Sequence, residues 1–497
     1  MSISGIGSQT SLIVQSLVNM RGQLDDLQRQ LGTGKKSETY AGVGIDRGLA
    51  VGLRSQLSAL DGFGSAITNV GVRLTLAQTT LGRISDIGHQ VKSAAFQAPG
   101  TIDSSGHTVS QNAAYSALDE LLGLLNTQAG DRYIFSGRSP DQPAVESLDH
   151  IMNGDGVRAG LLQVTSERRQ ADLGTGSGRL DVTVTAPAVK VAEDAVSPFG
   201  FKLAGVTTSI ASATVTPSGP PAAYTVDLGA INPNAGDTIK YTFTLPDGSN
   251  ESITLTATTS STPGPNQFAI GADSNFTAGN IGTALSAALG KLADTSLTAA
   301  SAIAASNDFF NIDATHPPQR IAGPNFAVAT GFAAGTPANT VSWYTGEMGS
   351  DPARATATAR VDSSIAVSYG LRANEEGIRF QVQNVAALAA MTFSAADPNA
   401  AARSAALNQR VGTALDVPLG TQKVEDIEVD LADAQTTLAA ASNRHGQTKA
   451  MLADMLQQIE GVSNEDVAAR IMALQTRLQA SLQTTSLLYQ TSLVDYL

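Results

Sequence analysis

The stretch VEDIEVDLADAQTTLAAASNRHGQTKAMLADMLQQIEGV, residues 424–462, decides the fold class. Val424, Ile427, Leu431, Ala434, Leu438, Ala441, His445, Thr448, Leu452, Met455, Ile459 and Val462 recur at steps of three and four in unbroken alternation. That spacing keeps one face of an α-helix apolar and predicts a long helix with a coiled-coil seam. His445 is read as a polar register element on that seam. A metal ligand is the weaker reading, because His89, His107, His150, His316 and His445 show no H-x-x-x-H spacing.

Outward from the seam, Gly461 ends the helix, and Ser463 with Asp466 three residues later has the capping-box pattern that starts another. Val467, Ile471, Leu474 and Leu478 follow on one face. The register then shifts to Leu482, Ser486, Tyr489, Leu493 and Tyr496, a change resembling a stutter. The other end of the chain carries a matching seam through Ile3, Ile6, Thr10, Ile13, Leu17, Met20, Leu24, Leu27 and Leu31. Gly32 and Gly34 supply a stop, with Lys35 and Lys36 as cations for the negative end of that helix. A further long helix runs from Leu53 to Ala95 with an irregularity near Gly62 and Gly64, and is expected to end at Pro99 and Gly100. A shorter helix with Ala114, Leu118, Leu121 and Leu125 on one face returns alongside it.

From about residue 132 the pattern changes to runs such as RLDVTVTAP, AAYTVDLG, TIKYTFTLPDG and ESITLTATT, whose alternation predicts strands. Asp247 and Gly248 in LPDGSN mark a hairpin turn, and NIGTALSAALGKLA is the one helix expected in this region. Helical pattern resumes with RANEEGIRFQVQNVAALAAM, where Asn374 is the expected N-cap and Glu375 and Glu376 the first turn. Adjacent helical carboxylates do not face one another, so these two are read as dipole partners and not as a catalytic pair. DLGTGSGRLDV contains G-x-G-x-G but precedes a strand, so it is read as a turn and not a phosphate cradle.

The expected fold class is therefore α+β: a long α-helical coiled-coil bundle formed by both termini, with a β-rich central insertion domain. The expected divisions are 1–45 with 460–497 as a terminal coiled coil, 46–195 with 346–459 as a helical rod with β elements, and 196–345 as the β-rich insertion. The chain has 31 basic and 44 acidic residues, a formal net charge of −13, which argues against nucleic acid and anionic lipid as partners. It has no cysteine, excluding disulfides, thiolate metal sites and cysteine nucleophiles. No apolar run reaches the roughly 20 residues of a membrane span, and a soluble chain without a cleaved signal is expected. No catalytic residues, cofactor or metal are expected.

The last residues, LLYQTSLVDYL at 487–497, are mainly Leu, Val and Tyr where chain ends are usually polar. A single helix pair is marginal in water, so these ends are expected to be buried by assembly. LQRQLGTGKKSETYAG, LRSQLSAL, AQTTLGRISDIGHQVKSAA and the C-terminal helices resemble the flagellin superfamily over roughly the first 140 and last 130 residues. GDRYIFSGRSPDQPAV at 130–145, VSYGLRANEEGIRFQVQNVAALAAM and the ending SLVDYL resemble the hook-associated protein 3 family within it. One departure is Tyr40 to Ile45, which replaces the acidic loop usual in relatives after the first helix.

The resemblance implies a structural protein at the hook-filament junction of the bacterial flagellum, extracellular and exported by the flagellar type III apparatus. Its implied partners are copies of itself in a ring, a neighbouring hook-associated protein and flagellin, and an export chaperone. The subunit interface is expected at Ile13, Leu17, Met20, Leu24, Leu27, Leu31, Leu474, Leu478, Leu482, Leu488, Tyr489, Leu493, Tyr496 and Leu497. Tyr133, Ile134, Phe135 and Gly137 are expected as the family-signature strand, packed in the core. The rival within the family is a filament-forming flagellin. The rival of another class is a secreted adhesive or glycan-binding module in the central region, resting on aromatics such as Phe243, Phe268, Phe276, Phe309, Phe310 and Trp343.

Overall fold

A computed structural model describes residues 4–97, 101–313, 315–418 and 420–494. The expectations for Ile3, Pro99, Gly100, Tyr496 and Leu497 lie outside the described residues, as do those for the side chains of Ile6, Thr10, Leu488, Tyr489 and Leu493. In chain order the helices are α1 (Ser4–Thr33), α2 (Tyr40–Val43), α3 (Arg47–Ala95), α4 (Val109–Leu125), α5 (Leu148–Asn153), α6 (Leu161–Leu173), α7 (Ser274–Leu292), α8 (Thr298–Phe310), α9 (Glu376–Ala389), α10 (Ala400–Ala414), α11 (Val424–Glu460) and α12 (Asn464–Val494). The strands are β1 (Gln128–Ala129), β2 (Arg132–Tyr133), β3 (Leu180–Thr185), β4 (Ala188–Glu193), β5 (Lys202–Thr208), β6 (Thr214–Ser218), β7 (Ala223–Asp227), β8 (Thr238–Thr244), β9 (Asn250–Thr258), β10 (Gln267–Ala269), β11 (Gln319–Ile321), β12 (Phe332–Ala334), β13 (Thr358–Arg360) and β14 (Ala366–Ser368). The fold class is α+β. No described helix is long and apolar enough to cross a membrane.

The chain divides into two compact units. The first comprises Met1–Asn69, Arg360–Ala366 and Thr436–Leu497. In it α1 packs along α12, and the beginning of α3 runs antiparallel to the end of α11. Two ion pairs fix that direction: Asp61 with Lys449 at 2.6 Å, and Arg54 with Glu460 at 2.5 Å. Gly62 and Gly64 leave α3 unbroken, so the expected irregularity is absent. On α11 the seam is buried at Leu438, Ala441, His445 and Leu452, but Thr448 and Met455 are exposed and Leu456 is half-buried in place of Met455. His445 stacks against Phe63 with ring centroids 5.7 Å apart, and its Nε2 lies 3.4 Å from Asp362.

The second unit comprises Val70–Ala359 and Val367–Gln435. Its helical part packs α4 on α9 and sets α8 against α6, α9 and α10. Ala114, Leu118, Leu121 and Leu125 are all fully buried, and a complete capping box between Thr108 and Gln111 starts α4. Gly377 opens α9 where a Cβ would stand 2.7 Å from the Lys423 carbonyl carbon, so the connection into α11 requires a glycine there. Two four-stranded sheets, ordered β3-β4-β7-β6 and β10-β9-β8-β5, share one apolar core with α7. The LPDGSN turn joins β8 to β9, with Gly248 at φ +80° and Asp247 Oδ1 accepting from the Ser249 amide at 3.0 Å.

Four helices here go beyond the sequence expectation. α5 and α6 precede the sheets, α8 follows α7 through a π-turn at Ala293–Leu297, and α10 stands between α9 and α11. α8, TAASAIAASNDFF, is buried on nearly every side, so small apolar residues occur all round it and no periodic stripe marks it. Phe243, Phe268, Phe309, Phe310 and Trp343 are fully or almost fully buried core residues, and of the aromatics read as a binding surface only Phe276 is exposed.

A buried ionic knot joins α6 to α8. Asp172, with no exposed side-chain surface, accepts from Arg168 Nε, the Gly200 amide and Ser301 Oγ, each at 2.8 Å. Arg168 also reaches Asp308 at 2.8 Å. Burial pushes the Asp308 carboxyl up to about 6, opposed by Arg168 and reinforced by Asp172. Between its ordinary 3.8 and that value the folded state holds the proton more tightly than the unfolded chain. The stability due to this group is complete below the ordinary value and is lost as pH rises through about 6. Asp308→Asn removes this dependence, so the stability of the variant relative to the parent rises between about pH 4 and about pH 6 in urea titrations. A difference that does not change with pH would show that Asp308 titrates normally.

Candidate interaction surface of the terminal helices

The face of α1 toward α12 carries Ile13, Leu17, Met20, Leu24 and Leu27, all half-buried, while Leu31 at its end is 39% exposed. The opposing face of α12 carries Val467 and Leu474, buried, and Ile471 and Leu478, half-buried. Ser463 accepts from the Asp466 amide at 3.3 Å and caps the start of α12. The expected register shift does not occur on this face. Ser481 and Thr485 continue the three-four alternation as half-buried positions, and Leu482 is 50% exposed. The physical reason is that an unbroken helix keeps its phase, so a leucine one position out of phase turns to the flank.

Both helices therefore carry apolar side chains that this pairing leaves uncovered. On α1 these are Leu12 at 70%, Val14 at 52% and Val18 at 60% exposed. On α12, Met472 is 68% exposed in addition to Leu482. Arg470 and Arg477 line a groove with Gln23, Asp26, Leu27 and Gln30 across from them. Asp26 is paired with Arg29 on its own helix at 2.6 Å.

The segment after α1 ties the two long hairpin ends of this unit. Gly34 takes φ +66° and its carbonyl accepts from the Val462 amide at 3.1 Å. The Lys36 amide donates to the Glu460 carbonyl, and its ammonium donates to the Ile459 carbonyl, both at 2.7 Å. Lys36 thus serves the carbonyl end of α11 and not that of α1, which corrects the sequence expectation. The cation still meets a negative helix end, but one brought near by the fold. Arg54 lies over the Tyr40 ring at 5.3 Å while bound to Glu460. Beside them Ile45 is 99% exposed.

The signature segment lies in the other compact unit. It is a strand only at Arg132–Tyr133, and a turn begins at Ile134, shorter than expected. Phe135 is fully buried, as expected of core packing, whereas Tyr133 and Ile134 are half-buried. Gly137 sits at φ +63°, where a Cβ would stand 2.8 Å from Glu347. The Phe135 carbonyl accepts from the Ala373 amide at 2.9 Å, and the Gly137 amide donates to the Leu371 carbonyl at 3.0 Å. Two motifs more than two hundred residues apart, GDRYIFSG and YGLRANEEG, are thereby paired backbone to backbone. Glu375 is the N-cap position of α9 in place of Asn374, and its buried carboxylate meets Arg354 and accepts from the Arg372 amide at 3.0 Å. Burial pushes the Glu375 carboxyl up, against the pull of Arg354. Glu376 remains in the first turn and accepts from the Gln422 amide at 3.2 Å.

Among the described residues no group of three or more His, Cys, Asp and Glu could hold a metal ion. The residues that sequence reasoning missed are arginines at joints: Arg354, Arg403 and Arg410. Each is separated by many residues from carboxylates it meets, so no local pattern marks it. The chain matches no protein-family model and no curated protein.

The inner and outer leucines of α12 are separable by mutation. Leu474→Ala is expected to destabilise the α1 and α12 pair by about 2 kcal/mol. Leu482→Ala is expected to change it by less than about 0.5 kcal/mol. Hydrogen exchange of α1 amides reads both, and equal effects would contradict the assigned faces.

Proposed function

We propose that the chain is a structural protein of the bacterial flagellum, a junction between hook and filament that assembles through its terminal helices into a ring of its own copies. The observation that carries this reading is the open apolar surface of α1 and α12, with Val14 and Val18 on one flank of α1 and Met472 and Leu482 on α12 exposed on helices already paired through another face. Exposed apolar side chains grouped on paired helices mark an association site. In this reading the terminal segments 1–45 and 460–497 form the coiled-coil inner part of the ring. Residues 46–195 with 346–459 form the rod, and residues 196–345 the outer insertion. The neighbours are a hook-associated protein on one side and flagellin on the other, with an export chaperone covering the same apolar surface before assembly. The protein is exported by the flagellar apparatus and acts outside the cell. It performs no catalysis.

The sequence motifs support the same assignment, since GDRYIFSG and YGLRANEEG resemble the junction family and meet in one backbone pairing. A junction stops growing because its two ends contact different neighbours, whereas a filament protein repeats one head-to-tail contact without limit. The test is to replace Val14, Val18, Met472 and Leu482 with Ser and follow incorporation by immunogold electron microscopy of intact flagella. For the parent, label is expected in one band at the hook boundary. For the variant, label is expected to be absent while monomer stability changes by less than about 1 kcal/mol. Label along the whole filament would identify a flagellin instead. Normal incorporation of the variant would refute assembly through this surface.

A further inference from the structure

A cleft of about 600 Å3 opens in the second compact unit between the β8–β9 turn and helices α8, α9 and α10. This lies within the roughly 300–1,000 Å3 of small-molecule sites. One wall is the turn itself, held by Arg410, whose guanidinium reaches Asp247 and Glu251 at 2.8 Å each and also Ser249. Ile303 and Phe380 supply apolar surface. The other groups are amides: Asn307, Gln383, Asn384 and Gln409.

The side-chain amides of Gln383, Asn307 and Gln409 make no hydrogen bond to another described residue and open into the cleft, although Gln383 as a residue is 6% exposed. Asn384 uses only its nitrogen, toward the Phe380 carbonyl at 2.8 Å. Amides open to a cleft are served there by water, which a ligand with matching donors and acceptors can displace. The charged groups, in contrast, are already engaged. Arg410 is bound by two carboxylates and Asp416 meets Lys92, which leaves three carboxylates against two cations. That balance disfavours an anionic ligand. An extended peptide would need an open strand edge, but β8 and β9 are the inner strands of their sheet.

We propose that this cleft binds a neutral saccharide. Each free amide offers a donor and an acceptor side by side, which matches neighbouring hydroxyls, and Ile303 with Phe380 suits the C–H face of a pyranose ring. The inference rests on the second unit alone and is independent of the assembly reading.

The test is calorimetric titration of the full chain with three neutral trisaccharides, chitotriose, maltotriose and mannotriose, and with sialyllactose as an anionic control. At least one neutral trisaccharide is expected to bind saturably with a Kd of about 1 mM or tighter. Gln383→Ala should weaken that binding about tenfold or more. Gln409→Ala, a change at the exposed rim that leaves the fold intact, should weaken it in the same direction and guards against a misfolded Gln383 variant. Saturable binding by none of the three, binding by sialyllactose alone, or binding unaffected by Gln409→Ala in a folded protein would overturn the proposal.

Discussion

A carboxylate with no exposed surface must be hydrogen-bonded on every side that counts, and the second unit is organised around one such group. Asp172 takes its donors from three places: Arg168 on its own helix, the Gly200 amide before β5, and Ser301 on α8. Sliding α8 along α6 by one turn would remove a donor and leave charge buried without compensation, at a cost of several kcal/mol. Such a pair adds little net stability over a well-packed apolar alternative, because both ions lose hydration. What it decides is arrangement. Phe199 and Phe332 flank the Arg168 guanidinium at 5.5 and 5.4 Å, so the cation is also held by ring faces.

Arginine–carboxylate pairs also join segments distant in sequence at other places in this unit. Arg403 binds Asp294 and Asp397 and thereby fixes the π-turn between α7 and α8 to α10. Arg354 binds Glu375 and the Gly370 carbonyl at the entrance to α9. Arg410 anchors the β8–β9 turn. A planar guanidinium with five donors can satisfy two partners at once, which an ammonium does less well. Removing Arg354, Arg403 or Arg410 would leave carboxylates at these joints without that partner.

Much of this was legible in local pattern, and the failures have physical causes. The seams of α1, α11 and the first half of α12 were readable because one face is buried and the other is not. The β8–β9 hairpin was readable because Asp247 and Gly248 have turn chemistry of their own. α8 was not, since a helix buried all round loses its periodicity. The N-cap of α9 was misplaced because the fold brings Arg354 to Glu375, turning a first-turn carboxylate into an ion-pair partner. Lys36 was read with the wrong helix for the same reason: its distance to Ile459 is a property of the fold and not of the neighbouring sequence. At the candidate surface the residues were readable as apolar, but whether each one faces inward or outward was not. Leu482 and Leu474 look alike in sequence and differ only in helical phase.

That phase is what gives the terminal helices their meaning. Toward its end α12 presents Ser481 and Thr485 to the inner face, while Leu482 lies on the flank. A helix optimised to close a monomer would do the reverse, because an outward leucine gains nothing from burial and an inward serine contributes little to packing. On α1, Val14 and Val18 stand one turn apart on a flank in the same way. Two helices that weaken their mutual seam and keep branched apolar residues outside are suited to a setting with more than one neighbour. In the proposed ring each would pack on its partner within the chain and on copies beside it, and neither contact alone would need to be strong.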